Sequence, residues 1–296
     1  MGRSATQLSP AEGKLLGTDV SMLIRHPIIP REHGAWAMLL MPFMVGAGVA
    51  PQLGWNILLL LLAIILLFSA RYALAKLRAA MRTRRAASST ARAAILWLII
   101  YIGIAAILGI PLLLIYQQWG LLPLAAIAAL LLALHLWLQE RRLERSTTGE
   151  LLGIAGLSLT APAAYYAGAG QFDTTAMLLW LLTLLYSGSS VFYVKMKVRH
   201  RLLGEAPLRM SERMRLGRAT VIYQLLVLAL VVGLSLGGSA PILVPVAFLP
   251  LTFKNISGAL WPRPEKSLRR VGFIELGHAV LFTALLILTF RLPGIG

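Results

Sequence analysis

Cysteine is missing from all 296 residues. That excludes disulfides, a thiolate nucleophile and any cysteine-ligated metal. Aspartate is nearly missing: Asp19 and Asp173 are the only ones. Paired aspartates that could hold a hard cation such as Mg²⁺ are therefore excluded. Charge is scarce too. Charged residues make up 13% of the chain, where soluble domains carry about 25%. Several chemistries lack their motif: there is no phosphate-binding G-x-x-x-x-G-K-[ST] loop, no H-E-x-x-H zinc helix, no G-x-S-x-G elbow and no C-x-x-C-H haem site.

What remains is mostly oil. Hydrophobic residues make up 58% of the chain and mean hydropathy is +0.78. A membrane span needs about 20 largely apolar residues. Nine stretches qualify, roughly 33–53, 55–75, 93–116, 121–138, 151–170, 175–194, 219–236, 240–260 and 272–290. The eighth holds Pro241, Pro245 and Pro250 and is expected to be kinked or short. The expected fold class is all-α: a polytopic bundle of about nine spans. Residues 1–24 read as a disordered tail without the apolar core of a secretory signal, and 25–296 as a single transmembrane domain.

The net charge of +17 comes from 28 Lys+Arg against 11 Asp+Glu. In a soluble chain this excess would suggest nucleic acid. Here the basic residues fall in alternate connections, which is the pattern of membrane topology. Every Lys and Arg except Arg291 lies in the N-terminal tail or in the connections around spans 2–3, 4–5, 6–7 and 8–9. The intervening turns, such as Gln117-Gln118-Trp119-Gly120, hold none. The positive-inside bias then places the N-terminus in the cytoplasm and the C-terminus outside. Nucleic acid is not an expected partner; membrane lipids are.

Ionisable groups inside a membrane are costly, so each is a candidate for function. Arg31-Glu32-His33 stands at the entry to span 1 and Glu150 at the entry to span 5. Glu275 and His278 share one helix face at i, i+3. Glu-x-x-His also occurs in di-metal bundles. A single copy falls short of such a site, and no metal is assigned. Arg71 marks the exit of span 2; Tyr193, Lys195 and Lys197 mark that of span 6. These basic groups read either as snorkelling helix ends or as a site for phosphate or carboxylate heads. All of these groups fall in the expected cytoplasmic halves. A polar cavity opening to the cytoplasm is therefore expected. In it Glu32, His33, Glu150, Glu275 and His278 are the acid–base candidates, and Arg31, Arg71, Tyr193, Lys195 and Lys197 hold an anionic amphiphile, an isoprenoid or lipid with a charged head. A carrier for a small ion or metabolite and a non-catalytic assembly subunit are the other readings. The residues name no cofactor and no protein partner.

Arg31-Glu32-His33-Gly34-Ala35-Trp36, preceded by His26-Pro27, resembles the YwiC-like family of bacterial integral membrane proteins. Gly149-Glu150-Leu151-Leu152-Gly153, Val194 through Arg199 and Gly272-Phe273-Ile274-Glu275 carry the likeness along most of the chain. The resemblance implies a membrane protein and no particular reaction. The topology is also similar to that of UbiA prenyltransferases, which hold Mg²⁺ and an isoprenoid diphosphate on two Asp-rich motifs. The matching regions here, Ser69-Ala70-Arg71-Tyr72 and Tyr186-Ser187-Gly188-Ser189-Ser190, contain no aspartate. Any enzyme on this scaffold would be a transferase without that Mg²⁺ site.

Overall fold

The computed structural model describes residues 27–30, 33–83, 89–144, 146–203, 210–261 and 267–292. The tail 1–24, Arg31 and Glu32 lie outside the described residues, as does the side chain of His33.

Ten helices account for the described chain, with no strand among them. They are α1 (His33–Val49), α2 (Trp55–Arg82), α3 (Ser89–Leu114), α4 (Leu121–Glu140), α5 (Thr147–Ser158), α6 (Thr160–Ala169), α7 (Thr174–Leu202), α8 (Met210–Leu236), α9 (Val244–Leu260) and α10 (Leu268–Arg291). Helices α5 and α6 form one rod, so nine rods stand where nine apolar stretches were read. Seven rods are long and apolar enough to cross a membrane. The other two, α1 and α9, have 17 residues each, about 25 Å of helix. The eighth stretch is thus short, as its prolines led one to expect.

The break between α5 and α6 has a local cause. Pro162 has no N–H to give the Ser158 carbonyl, so the ladder fails there. The Thr160 hydroxyl lies 2.9 Å from Leu157 O and 2.9 Å from Leu39 O of α1, and its one proton is shared between these two carbonyls. Gly46 of α1 lies so close to the Ala161 carbonyl that a Cβ there would collide with it. Small residues at this crossing let the two backbones touch.

Side chains cap the rods. Ser146 Oγ accepts from Gly149 N at 3.0 Å and starts α5. Asp173 Oδ1 accepts from Ala176 N at 3.1 Å and starts α7, while its Oδ2 accepts from the Tyr165 hydroxyl at 2.9 Å. Arg291, the basic residue outside the charge pattern, caps α1. Its guanidinium donates to Gly48 O at 2.8 Å and also to Ala50 O, carbonyls that a helix end leaves without partners.

The chain divides into two compact units. Of the described residues, one comprises 27–30 and those within Leu62–Pro111. There Ile28 packs with Ala73 and Ala94, and its carbonyl accepts from the Tyr101 hydroxyl at 3.3 Å. The other comprises Glu32–Leu61 and Leu112–Gly296. Its core is apolar: Val45, Leu179, Leu182, Val244, Phe248, Phe282 and Leu286 are buried together.

Candidate functional site

Helix α7 organises the charged groups of the larger unit. At 100° per residue, Tyr186, Ser190, Tyr193, Lys197 and His200 fall within about 80° of arc on one face, over about 20 Å of helix. All five are buried. Lys195 lies on the opposite face by the same arithmetic, and its partner confirms this: Nζ is 3.1 Å from Glu150 Oε2 and 3.3 Å from Thr147 Oγ1 at the start of α5. Glu150 also sits in the first turn of α5, where the helix dipole favours a carboxylate.

The buried face of α7 meets α9 and α10. Lys254 of α9 donates to Glu275 Oε1 of α10 in a short charged hydrogen bond. The two side chains are 10% and 13% exposed, so the pair is largely withdrawn from solvent. Glu275 lies seven residues into α10, about 10 Å from its start. Lys254 Nζ stands 4.5 Å from the centre of the Tyr193 ring, and Lys197 Nζ stands 5.5 Å from the same centre. Both distances suit a cation over an aromatic face. Deeper in the bundle, Tyr186 stacks on Phe282 with centroids 4.0 Å apart. One buried oxygen of this group, Glu275 Oε2, has no hydrogen-bond partner, while the Tyr186 hydroxyl lies by Ser190 of its own helix.

An amide network joins α8 to α9 beside the pair. Gln224 Nε2 donates to Thr252 Oγ1 at 2.7 Å, and Asn255 Nδ2 donates to Gln224 Oε1 at 2.9 Å. Gln224 and Asn255 are fully buried. Asn255 Oδ1 has no partner.

The candidates read from sequence are thus sorted by α7. Tyr193, Lys197 and Glu275 come together, with Lys254 between them. Glu150 and Lys195 pair with each other on the far side of α7. Glu150 and Glu275 therefore address separate partners. His278 turns to its own helix: its Nδ1 lies 2.9 Å from Ile274 O. Among the described residues no three His, Cys, Asp or Glu side chains come close enough to hold a metal ion. Arg71 belongs to the smaller unit, where its guanidinium lies 6.0 Å from the Phe68 ring centre. An apolar groove runs along α9 past Leu249, Thr252, Phe253, Ile256, Ser257 and Trp261; no candidate residue lines it.

Sequence reading passed over Lys254, Tyr186, Ser190 and His200 as site residues, together with the Gln224–Asn255 pair. The α7 residues did carry a signal. Polar groups at i, i+4, i+7, i+11 and i+14 in an apolar helix mark one face, the spacing by which an amphipathic helix is recognised. Lys254 carried none, since a lysine near a span end also reads as a snorkelling group.

These features define a multi-pass, all-helical membrane protein with an ion pair buried in its bundle. Residues 29–165 match the sequence profile described as YwiC-like protein. It is 29% identical over 178 residues to a Bacillus subtilis (strain 168) protein named "Uncharacterized protein YwiC", covering 59% of this chain and 68% of that one. It is 25% identical over 268 residues to an "Uncharacterized protein" of Haemophilus influenzae (strain ATCC 51907 / DSM 11121 / KW20 / Rd), covering 88% of this chain and 98% of that one. No solved structure matches the chain.

Proposed function

We propose that this protein binds an anionic amphiphile from the cytoplasmic leaflet of a bacterial inner membrane. The charged head is held by Lys197 and Lys254 beside Tyr193. One observation carries the reading: two lysine ammonium groups lie within 5.5 Å of the centre of a single buried tyrosine ring. Ammonium groups in a low-dielectric site bind phosphate or carboxylate far more strongly than they do in water. The basic connections flanking this end of α7, α9 and α10 favour anionic lipids nearby. They also support a cytoplasmic placement by the positive-inside rule. A helical bundle suits the inner membrane, since outer-membrane proteins are closed barrels.

The test is binding of a defined probe by the protein purified in a nonionic detergent. Lysophosphatidylglycerol has one acyl chain and a phosphodiester head whose charge does not titrate near neutrality. Native mass spectrometry should show it bound to the wild type. Lys197→Gln should lower the affinity about tenfold, the loss of one charge-assisted contact. Equal binding by wild type and Lys197→Gln, or none by either, would refute the reading.

A further inference from the structure

The anion site described above shares a lysine with a carboxylate, and that sharing has a thermodynamic consequence. Lys254 is the charged partner that the structure gives to Glu275. An incoming anion that takes Lys254 leaves that carboxylate in a nearly dry site. An uncompensated buried charge is expensive, and a carboxyl group there neutralises itself by taking a proton. From this we infer that anion binding at Lys254 is coupled to proton uptake at Glu275, so that the protein binds the anion and a proton together. The inference rests on the anionic-ligand reading and specifies how that site is regulated.

The surroundings of Glu275 support the exchange. From α9 it is faced by Lys254, and from α7 by Tyr186, within reach of its charge, and by Tyr193 and Lys197 beyond the Lys254 ammonium. Helix α1, packed along α10, has no titratable side chain between Gly34 and Val49. On α10 itself, His278 is engaged with Ile274 O and Arg269 lies 5.6 Å from the Phe273 ring centre. No second cation on these helices is bonded to Glu275 among the described residues. Glu275 Oε2 is buried and lacks a partner, so the carboxylate has one oxygen that a proton can occupy without breaking an existing bond.

The balance is simple. The Lys254 ammonium keeps its three protons and exchanges the Glu275 carboxylate for the anionic head. Glu275 forms one O–H bond with a proton from water at the basic end of the bundle. No bond to carbon is made or broken and nothing is oxidised. One negative and one positive charge enter together, so the net charge of the bundle interior is unchanged.

Isothermal titration calorimetry with lysophosphatidylglycerol decides the matter. Titrations run in two buffers of different ionisation enthalpy count the protons taken up. The wild type should take up about one proton per bound probe, and its affinity should fall about tenfold per pH unit while free Glu275 is ionised. Glu275→Gln mimics the protonated acid, so it should bind with an affinity that does not change with pH and with no proton uptake. Wild-type binding without proton uptake would overturn the coupling while leaving the anion site intact, and so would equal uptake by Glu275→Gln. No binding by the wild type would overturn the anion site itself. The wild-type proton count stands even if the variant does not fold.

Discussion

The Lys254–Glu275 pair makes a sharp prediction about stability. Substituting Lys254→Met keeps the length of the side chain and removes its charge. Glu275, 13% exposed in the pair, is then left without its bonded cation. Removing one partner of a buried pair costs roughly 3–5 kcal/mol, whereas replacing both with apolar residues of similar volume is neutral or stabilising. The double variant Lys254→Met/Glu275→Leu should therefore regain most of what Lys254→Met loses. Helices in a membrane unfold to a state in which carboxylates still find partners or water, which pulls the expected cost toward 3 kcal/mol. The assay is equilibrium unfolding in mixed micelles, followed by tryptophan fluorescence, for the wild type, both single variants and the double. A cost of less than about 1 kcal/mol for Lys254→Met, typical of a solvated surface pair, would refute the claim that the pair is dry. Additive losses in the double variant would refute the claim that the two groups depend on each other.

Other consequences are quicker to check. Gly46→Ala should disrupt the α1–α6 crossing, because a Cβ there collides with the Ala161 carbonyl, while Gly34→Ala meets nothing within 4 Å and should be neutral; size-exclusion profiles in detergent after heating separate the two. Arg291→Ala removes the donor to Gly48 O and Ala50 O and should cost about 1 kcal/mol, reflecting its exposed position, read as a small drop in thermal stability. The natural absence of cysteine allows single cysteines to be placed on a silent background. Gln117→Cys should react with an impermeant maleimide added outside spheroplasts, and Arg141→Cys should react only after lysis. Labelling of both from one side would refute the positive-inside assignment.

The rods were legible because hydropathy and length alone decide them. Pro245 and Pro250 signalled the short α9. The break at Leu159 was not read from the sequence: 151–170 was taken as one span, and the contact that Thr160 makes there is with Leu39, 121 residues away. At the site, Glu275 and Lys197 could be named from their chemistry, but not as neighbours. Glu275 and Lys254 are 21 residues apart on separate helices, and pairing across helices follows from packing, which no local pattern encodes. The alternation of Lys195, Lys197 and Arg199 was open to two readings, a solvated helix end or an anion site. In the structure that alternation splits the two lysines between opposite faces of α7, one toward α5 and one toward α9 and α10.

That split decides where function should be sought. A lysine–glutamate pair lies on either side of α7, Lys195 with Glu150 of α5 on one and Lys254 of α9 with Glu275 of α10 on the other, yet the pairs differ in environment. Lys195 and Glu150 are 22% and 34% exposed, so water screens them and their attraction is worth little. Lys254 and Glu275 are 10% and 13% exposed, and the second oxygen of Glu275 is buried without a partner. A bundle that needed only to hold three helices together could do so with leucines, as the core around Leu179, Phe248 and Phe282 already does. Desolvating a lysine and a glutamate there costs stability that apolar residues would not. The arrangement makes physical sense where the charge has a second task, and trading a carboxylate for an external anion is a task that only a buried, exchangeable cation can perform.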